Sequence, residues 1–162
     1  MIRVGVFSDS HGDTRALDEL LEKMGYVDAV CFLGDVAGDA DHLAGRLGAM
    51  PNRPPLYAVR GNNDYYSTCL LPWELFIELG GKRIYMTHGH KLVSEMSLVY
   101  KAQEMQADIA LFGHTHYPYC ETVQGVLLLN PGSAGNYCRG GRARASVLEI
   151  RSGLCRVSDV TL

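Results

Sequence analysis

The sequence predicts an α/β fold: two packed sheets with helices outside them, in one domain spanning residues 1–162. Three observations carry that prediction. The first half of the chain alternates apolar strand-like runs with amphipathic helical segments. The second half is mostly consecutive strands. No linker or repeat divides the 162 residues, a length sufficient for one domain with a sizeable core.

In order, Ile2 to Phe7 is an apolar strand, and Ser8-Asp9-Ser10-His11-Gly12-Asp13 follows as a loop. A helix runs from Thr14 to Met24 with Leu17, Leu20, Leu21 and Met24 on one face. Asp13 is its N-cap and Gly25 its stop. Val27 to Leu33 forms a second strand, ended by Gly34-Asp35. A short helix covers Asp41 to Ala49, and Pro51, Pro54 and Pro55 make a loop. Leu56 to Val59 is the third strand and runs into Arg60-Gly61-Asn62-Asn63-Asp64. Glu74 to Leu79 and Arg83 to Thr87 flank Gly80-Gly81 as a hairpin, and its second strand runs into His88-Gly89-His90. Ser94 to Gln106 is helical, with Leu98, Val99, Ala102 and Met105 as its apolar side. Asp108 to Phe112 is a short buried strand broken by Gly113, and His114-Thr115-His116 follows. A strand pair at Glu121 to Val123 and Val126 to Asn130 comes next. A loop from Pro131 to Ala143 and a hairpin of Ser146 to Ile150 with Leu154 to Val160 complete the chain.

Composition narrows the function. Apolar residues make up 47% and charged residues 20%, which excludes disorder. A formal net charge of −3 gives no reason to expect stable nucleic-acid binding or adhesion to an acidic membrane. The five cysteines are scattered and form no Cys-x-x-Cys pair, so they read as reduced thiols of a cytoplasmic protein. The chain begins at once with a strand, without a signal peptide, and no run is long enough to span a membrane.

The histidines stand out. Five of the six, His11, His88, His90, His114 and His116, lie in short clusters with Gly or Asp, whereas His42 sits in a plain helical context and reads as a surface residue. Five segments share one grammar: an apolar strand, then a tight turn carrying Asp, Asn or His. If the early strands are parallel, those turns meet at one sheet edge. The candidate ligands are Asp9, His11, Asp35, Asn62, His88, His114 and His116. Seven are too many for one tetrahedral zinc and suit two ions with a bridging carboxylate. Their mixture of oxygen and imidazole donors fits manganese, iron, zinc, nickel or cobalt. Each piece also has an ordinary alternative: Asp9 as a turn cap, Asp35 in an Asx-turn, Asn62 in a left-handed turn, His88 bonded to backbone.

Asp9-x-His11, Gly34-Asp35, Gly61-Asn62-x-Asp64, His88-Gly89-His90 and Gly113-His114-x-His116 resemble, in order, the motifs of the calcineurin-like metallophosphoesterases. The small size, Asn130-Pro131-Gly132-Ser133 and Arg139-Gly140-Gly141 are similar to the compact bacterial and archaeal phosphodiesterase subfamily of the YfcE type. The resemblance implies a four-layer α/β/β/α sandwich. It implies Asp9, His11 and His116 on one metal, Asn62, His88 and His114 on the other, and Asp35 bridging. It implies two divalent ions, most readily Mn(2+), and hydrolysis of phosphodiesters by a hydroxide held between them, with Asp35, Asn62 and His90 as the residues nearest the chemistry. Such a pocket has a net charge of about +1, and ions about 3.5–4 Å apart clamp the attacking and leaving oxygens.

One position departs from the family. Many of its members carry His after the ligand Asn, as a general acid; here it is Asn63, an amide that delivers no proton at neutral pH. Asp64 remains without the imidazole it would orient. His90 is a candidate for phosphate contact or for support of a ligand, against an ordinary bond to loop backbone. Arg60 and the loop from Arg139 to Arg144 are candidates for substrate phosphates, with Arg142 and Arg144 better read as solvated. Tyr65, Tyr66 and Tyr137 are candidates for stacking a base. A monoester phosphatase of the same fold is the nearest alternative. A binding scaffold like the small retromer subunit is the other, set against by the filled ligand positions. The expected partner is a small phosphodiester, and a homodimer or homotetramer is compatible with the reading.

Overall fold

The computed structural model describes residues 1–64, 70–135 and 141–162. The elements run β1 (Ile2–Phe7), α1 (Thr14–Met24), β2 (Ala29–Phe32), α2 (Ala37–Gly48), β3 (Leu56–Ala58) and a 3-10 turn (Asn62–Asp64). Then follow β4 (Glu74–Leu79), β5 (Lys82–Thr87), α3 (Glu95–Glu104), β6 (Ile109–Leu111), β7 (Pro118–Val123), β8 (Val126–Pro131), β9 (Arg144–Arg151) and β10 (Leu154–Thr161).

Two five-stranded sheets form, in the orders β10-β9-β1-β2-β3 and β4-β5-β6-β8-β7. In the first, β1, β2 and β3 are parallel; in the second, β5, β6 and β8 are parallel. Strand alternation sorts the side chains into layers. Val4, Val6, Cys31 and Leu33 of the first sheet pack against Ile84, Met86, Ile109 and Leu111 of the second. Phe7, Val30 and Phe32 point the other way, onto Leu17, Leu20 and Leu21 of α1 and Leu43 and Leu47 of α2. On the far side, Leu98, Val99 and Ala102 of α3 cover Tyr85, Ala110 and Leu128. The layering is α/β/β/α, as expected. Burial pushes the Cys31 thiol up to about 12, which keeps it protonated and inert.

Several local readings change. Asp13 caps α1 through the Ala16 amide, as read. The second strand is shorter than its apolar run: Val27 is buried, but parallel pairing begins at Ala29. The second helix starts at Ala37, four residues before the expected Asp41, because its cap comes from elsewhere in the chain. Val36 supplies no side-chain cap; Asp64 Oδ1 accepts from the Ala37 amide at 2.8 Å. His42 is not a plain surface residue, since it meets Asp18 at 2.8 Å and so ties α2 to α1, with Arg46 on the same carboxylate at 3.0 Å. Arg144 is not solvated either: it opens β9 and pairs with Asp159 of β10 at 2.5 Å. Tyr65, Tyr66, Tyr137 and Arg139 lie outside the described residues. No described helix is long and apolar enough to cross a membrane.

Candidate metal centre

The C-terminal ends of five parallel strands, three from one sheet and two from the other, deliver the seven candidate ligands to one place. Asp9 and His11 follow β1, Asp35 follows β2, Asn62 follows β3, His88 follows β5, and His114 and His116 follow β6. The turns are strained. Asp9 (φ 53), His11 (φ 50), Asp35 (φ 107), His114 (φ 68) and His116 (φ 61) all adopt positive φ. Such conformations cost of order 1–3 kcal/mol each for residues other than glycine and gather where function demands them. Asn62, expected in a left-handed turn if ordinary, instead begins the 3-10 turn.

The glycines before the ligands answer to space. A Cβ on Gly113 would lie 2.0 Å from Ser8 Oγ and 2.7 Å from Asp9 Oδ2. One on Gly61 would lie 2.6 Å from Asp35 Oδ1, and one on Gly34 2.7 Å from the Gly61 amide nitrogen. The loops after β2 and β3 therefore pack backbone to backbone, and the Gly113 backbone packs against the Ser8 and Asp9 side chains.

Asp9 sits at the centre, fully buried. Its Oδ2 accepts from Ser8 Oγ at 2.5 Å and from the His114 amide at 2.9 Å. Its Oδ1 is buried without a hydrogen-bond partner. That oxygen lies 3.2 Å from His116 Nε2, 3.7 Å from His88 Nε2 and 3.8 Å from His11 Nε2. His11 Nε2 and His116 Nε2 are 3.1 Å apart. Two N–H groups or two bare lone pairs at that separation repel, so one proton or one cation must lie between them. His88 directs Nδ1 at the Leu33 carbonyl, 2.8 Å away, which fixes the ring with Nε2 facing inward. Asn62 Oδ1 lies 3.0 Å from His88 Nε2 and 3.2 Å from His114 Nδ1. Asp35 spans the two halves: Oδ2 is 3.6 Å from His11 Nε2 and Oδ1 is 3.8 Å from His88 Nε2. An orphaned carboxylate oxygen facing three imidazole nitrogens fits a divalent cation. Among the described residues two groups have the spacing to hold one, Asp9 with His11 and His116, and Asp9 with Asp35 and His88.

The charges agree. Burial works to raise the Asp9 pKa, but His11, His88, Ser8 and His116 prevail and it ends lowered. The Asp9 carboxylate raises the His11 pKa against burial, helped by Asp35 and Asp39. Burial, then His88, lowers that of His114, which favours the neutral, ligating form. Because the metal-free His11 keeps its proton to higher pH than a free imidazole, metal uptake must expel it. Affinity should therefore climb as pH rises through and above the ordinary imidazole range. Calorimetric titration with Mn(2+) in buffers of different ionisation enthalpy should show net proton release on binding that shrinks as pH rises; none released at about pH 6 would contradict the His11 reading.

Several supporting residues escaped the sequence reading. Asn130 Nδ2 donates to the Gly113 carbonyl at 3.0 Å and to Thr115 Oγ1 at 3.1 Å, clamping the His114 turn. Ser133 Oγ donates to the Asp9 carbonyl at 2.7 Å. Asp39, buried on α2, accepts from Ser10 Oγ at 2.5 Å and from the Gly12 amide at 2.8 Å, and so holds the loop of His11. The Asn-Pro-Gly-Ser motif was the available signal; nothing in the sequence singled out Asp39.

Asn63 and Asp64 are employed differently from the expectation. Asp64 is buried and binds the Gly61 amide at 2.9 Å as well as capping α2. It is not held in reserve for an imidazole. Asn63 donates to Asp35 twice, from its backbone to Oδ1 at 2.8 Å and from Nδ2 to Oδ2 at 2.5 Å. Asn63→His, which the family pattern suggests as a gain of general acid, should instead cost about tenfold in Mn(2+) affinity, since it removes the amide that orients Asp35. Turnover of activated and unactivated diesters should fall alike; a gain confined to poor leaving groups would overturn this.

His90 stands behind the ligands, its ring centroid 5.7 Å from that of His88, 6.3 Å from that of His114 and 5.5 Å from that of Trp73. Its Nδ1 is buried without a partner, so no bond to loop backbone forms through that atom. Arg60 is occupied by the Leu71 carbonyl at 2.6 Å and by the face of Trp73.

The model of the calcineurin-like phosphoesterase superfamily domain matches residues 2–153. A probable metallophosphoesterase, YsnB of Bacillus subtilis, is 32% identical over 136 residues, 82% of this chain and 75% of that protein. The phosphodiesterase YfcE of Escherichia coli K12 is 29% identical over 153 residues, 82% of this chain and 79% of that protein. The crystal structure of a predicted phosphoesterase from Streptococcus pneumoniae superposes with a TM-score of 0.70 at 30% identity, covering 98% of this chain and 97% of that one. The same fold recurs at 22% identity in zinc-complexed Vps29 of Entamoeba histolytica, with a TM-score of 0.72 and 99% of each chain covered. With its motifs in order, its sandwich and its ligand-lined strand ends, the chain belongs to the calcineurin-like phosphoesterase superfamily.

Proposed function

We propose that this single-domain protein is a dinuclear, metal-dependent phosphodiesterase. The observation that carries the reading is the orphaned Asp9 Oδ1 facing three imidazole nitrogens. Asp9, His11 and His116 would hold one ion, and Asn62, His88 and His114 would hold the other. Asp35 bridges, as supported by its two oxygens facing opposite halves of the site. The oxygen and imidazole donors suit Mn(2+), with Zn(2+), Ni(2+), Fe(2+) or Co(2+) as alternatives. Bound there, two divalent ions lower the pKa of water towards neutrality and stabilise the charge of an in-line displacement.

The protein's own part is positional. The Leu33 carbonyl holds His88 in the ligating tautomer, Asn63 fixes the Asp35 carboxylate, and Asn130 sets the His114 turn. Exposed His114 and the rings around it form the wall a phosphate would approach, with His90 behind them. No imidazole stands at position 63 to protonate the leaving oxygen. Rates should therefore follow leaving-group acidity. With Mn(2+), bis(4-nitrophenyl) phosphate should be cleaved faster than 4-nitrophenyl phosphate, and both faster than an unactivated dinucleotide. A strong preference for alkyl monoesters would replace this reading with a phosphomonoesterase. The full set of donors supports catalysis over a binding scaffold.

A further inference from the structure

We infer that the cleft beside His114 is a subsite for a neutral, apolar ester group of the substrate. The inference rests on the phosphodiesterase reading and names its substrate class: diesters with an aryl or similarly apolar second group. The cleft has a volume of about 400 Å³, within the range of small-ligand sites. His114 and Gly113 form one wall, so the cleft opens directly onto a candidate ligand. Leu92, Val93, Leu98 and Phe112 are half of the other lining residues. Leu98 and Phe112 are buried in the cluster beneath α3 and give a rigid floor, while Val93 is 94% exposed at the rim.

Charge selects the occupant. The one charged side chain on the wall is Glu95, which repels a second phosphate or a carboxylate. A separate cavity of about 470 Å³ on the other side of Leu92 carries Lys91, Lys101 and His90 beside Trp73, and its one carboxylate, Glu74, is bonded to the Tyr85 hydroxyl, so its cations outnumber its anions. An anionic group would be drawn there. A diester with its phosphorus at the metal ligands and a phenyl group in the cleft buries apolar area on both partners. About 60 Å² so buried corresponds to roughly tenfold in affinity.

The experiment has a binding arm and a kinetic arm. Diphenyl phosphate and dimethyl phosphate are titrated into ¹³C-methyl-labelled protein, zinc-loaded and metal-free. The Leu92, Val93 and Leu98 methyls should shift with the first and not with the second. With Mn(2+), phenyl 4-nitrophenyl phosphate should show a KM about tenfold below that of methyl 4-nitrophenyl phosphate, which shares its leaving group. Val93→Asn, at an exposed position that tolerates it, should raise KM for the phenyl ester at least about threefold and leave the methyl ester, which carries the same charge, unchanged. Leu92→Gln should do the same from the inner wall. Equal KM values with unmoved Leu98 methyls overturn the subsite while leaving phosphodiesterase activity intact. Shifted methyls with neither ester cleaved would support the cleft as an apolar site and overturn the activity reading instead.

Discussion

Gly113→Ala is expected to empty the metal centre and to lower hydrolysis of an aryl diester by more than about a hundredfold, while most of the fold stands. The added Cβ would lie 2.0 Å from Ser8 Oγ and 2.7 Å from Asp9 Oδ2, both on fully buried side chains. Ser8 cannot turn aside freely, since its hydroxyl donates to Asp9 at 2.5 Å. Nor can the His114 loop retreat without breaking its amide bond to Asp9 and the Asn130 clamp on the Gly113 carbonyl. Overpacking of this kind costs about 1–3 kcal/mol, or roughly 2–12 °C in Tm for a domain of this size. The functional loss should be larger in proportion, because a displacement of about 1 Å in a reacting constellation costs on the order of 10² in rate. Gly38→Ala is the control. Gly38 lies in α2 with nothing within 4 Å of its Cβ position, and alanine there should be neutral or stabilising by up to about 1 kcal/mol. Elemental analysis, thermal melts and rates on the two variants decide the matter. Full metal content in Gly113→Ala would mean that crowding is not why glycine stands there.

The parts of this protein set by local chemistry were legible in its sequence. Thr14 to Met24 announces itself by period and by Asp13, and those are its limits. The turns at Asp9, Asp35, Asn62, His88 and His114 were legible because an apolar strand cannot end in buried imidazoles and carboxylates without a reason. The parts set by distant chain were not. The second helix begins early because Asp64, 27 positions downstream, binds the Ala37 amide. Asp39 lies ahead of the helix expected from Asp41 and carries no signal of its own, yet it ties down the His11 loop through Ser10 and Gly12. Gly113 read as a strand breaker, and only the packed loops show its task to be close approach.

Asn63 teaches the sharper lesson. The family pattern casts that position as an acid, and its absence reads as a deficit. In the fold it is a donor to the bridging candidate, and its neighbour Asp64 has other duties. Which ligands belong to which ion was likewise closed to spacing. The split becomes arguable only once Asn62 Oδ1 is seen between His88 and His114, and His116 beside His11.

Asp35→Asn should remove both ions together and reduce diester hydrolysis by at least about 10³-fold, well beyond the roughly 10–100-fold that follows loss of an outer partner. In the wild type each carboxylate oxygen looks towards a different ligand group, Oδ2 towards His11 and Oδ1 towards His88. Asparagine keeps the shape, but it loses the charge and must present an NH₂ to one side. It also sets donor against donor, because Asn63 already donates to both oxygens. Asn63→Asp in the Asp35→Asn background would reverse the polarity of the side-chain bond. That pair should recover much of any lost thermal stability without recovering metal, since the charge then sits one position after Asn62 and no longer between the two groups. His116→Ala gives the contrasting pattern. It strips one ligand group and leaves Asn62, His88, His114 and Asp35 in place, so about one ion per chain should remain. Metal analysis after dialysis against a fixed free Mn(2+) concentration separates the cases. If Asp35→Asn kept one ion, as His116→Ala is expected to, Asp35 would be a ligand of a single ion and the bridge would have to be sought in Asp9, whose free Oδ1 lies within 3.8 Å of His11, His88 and His116 alike.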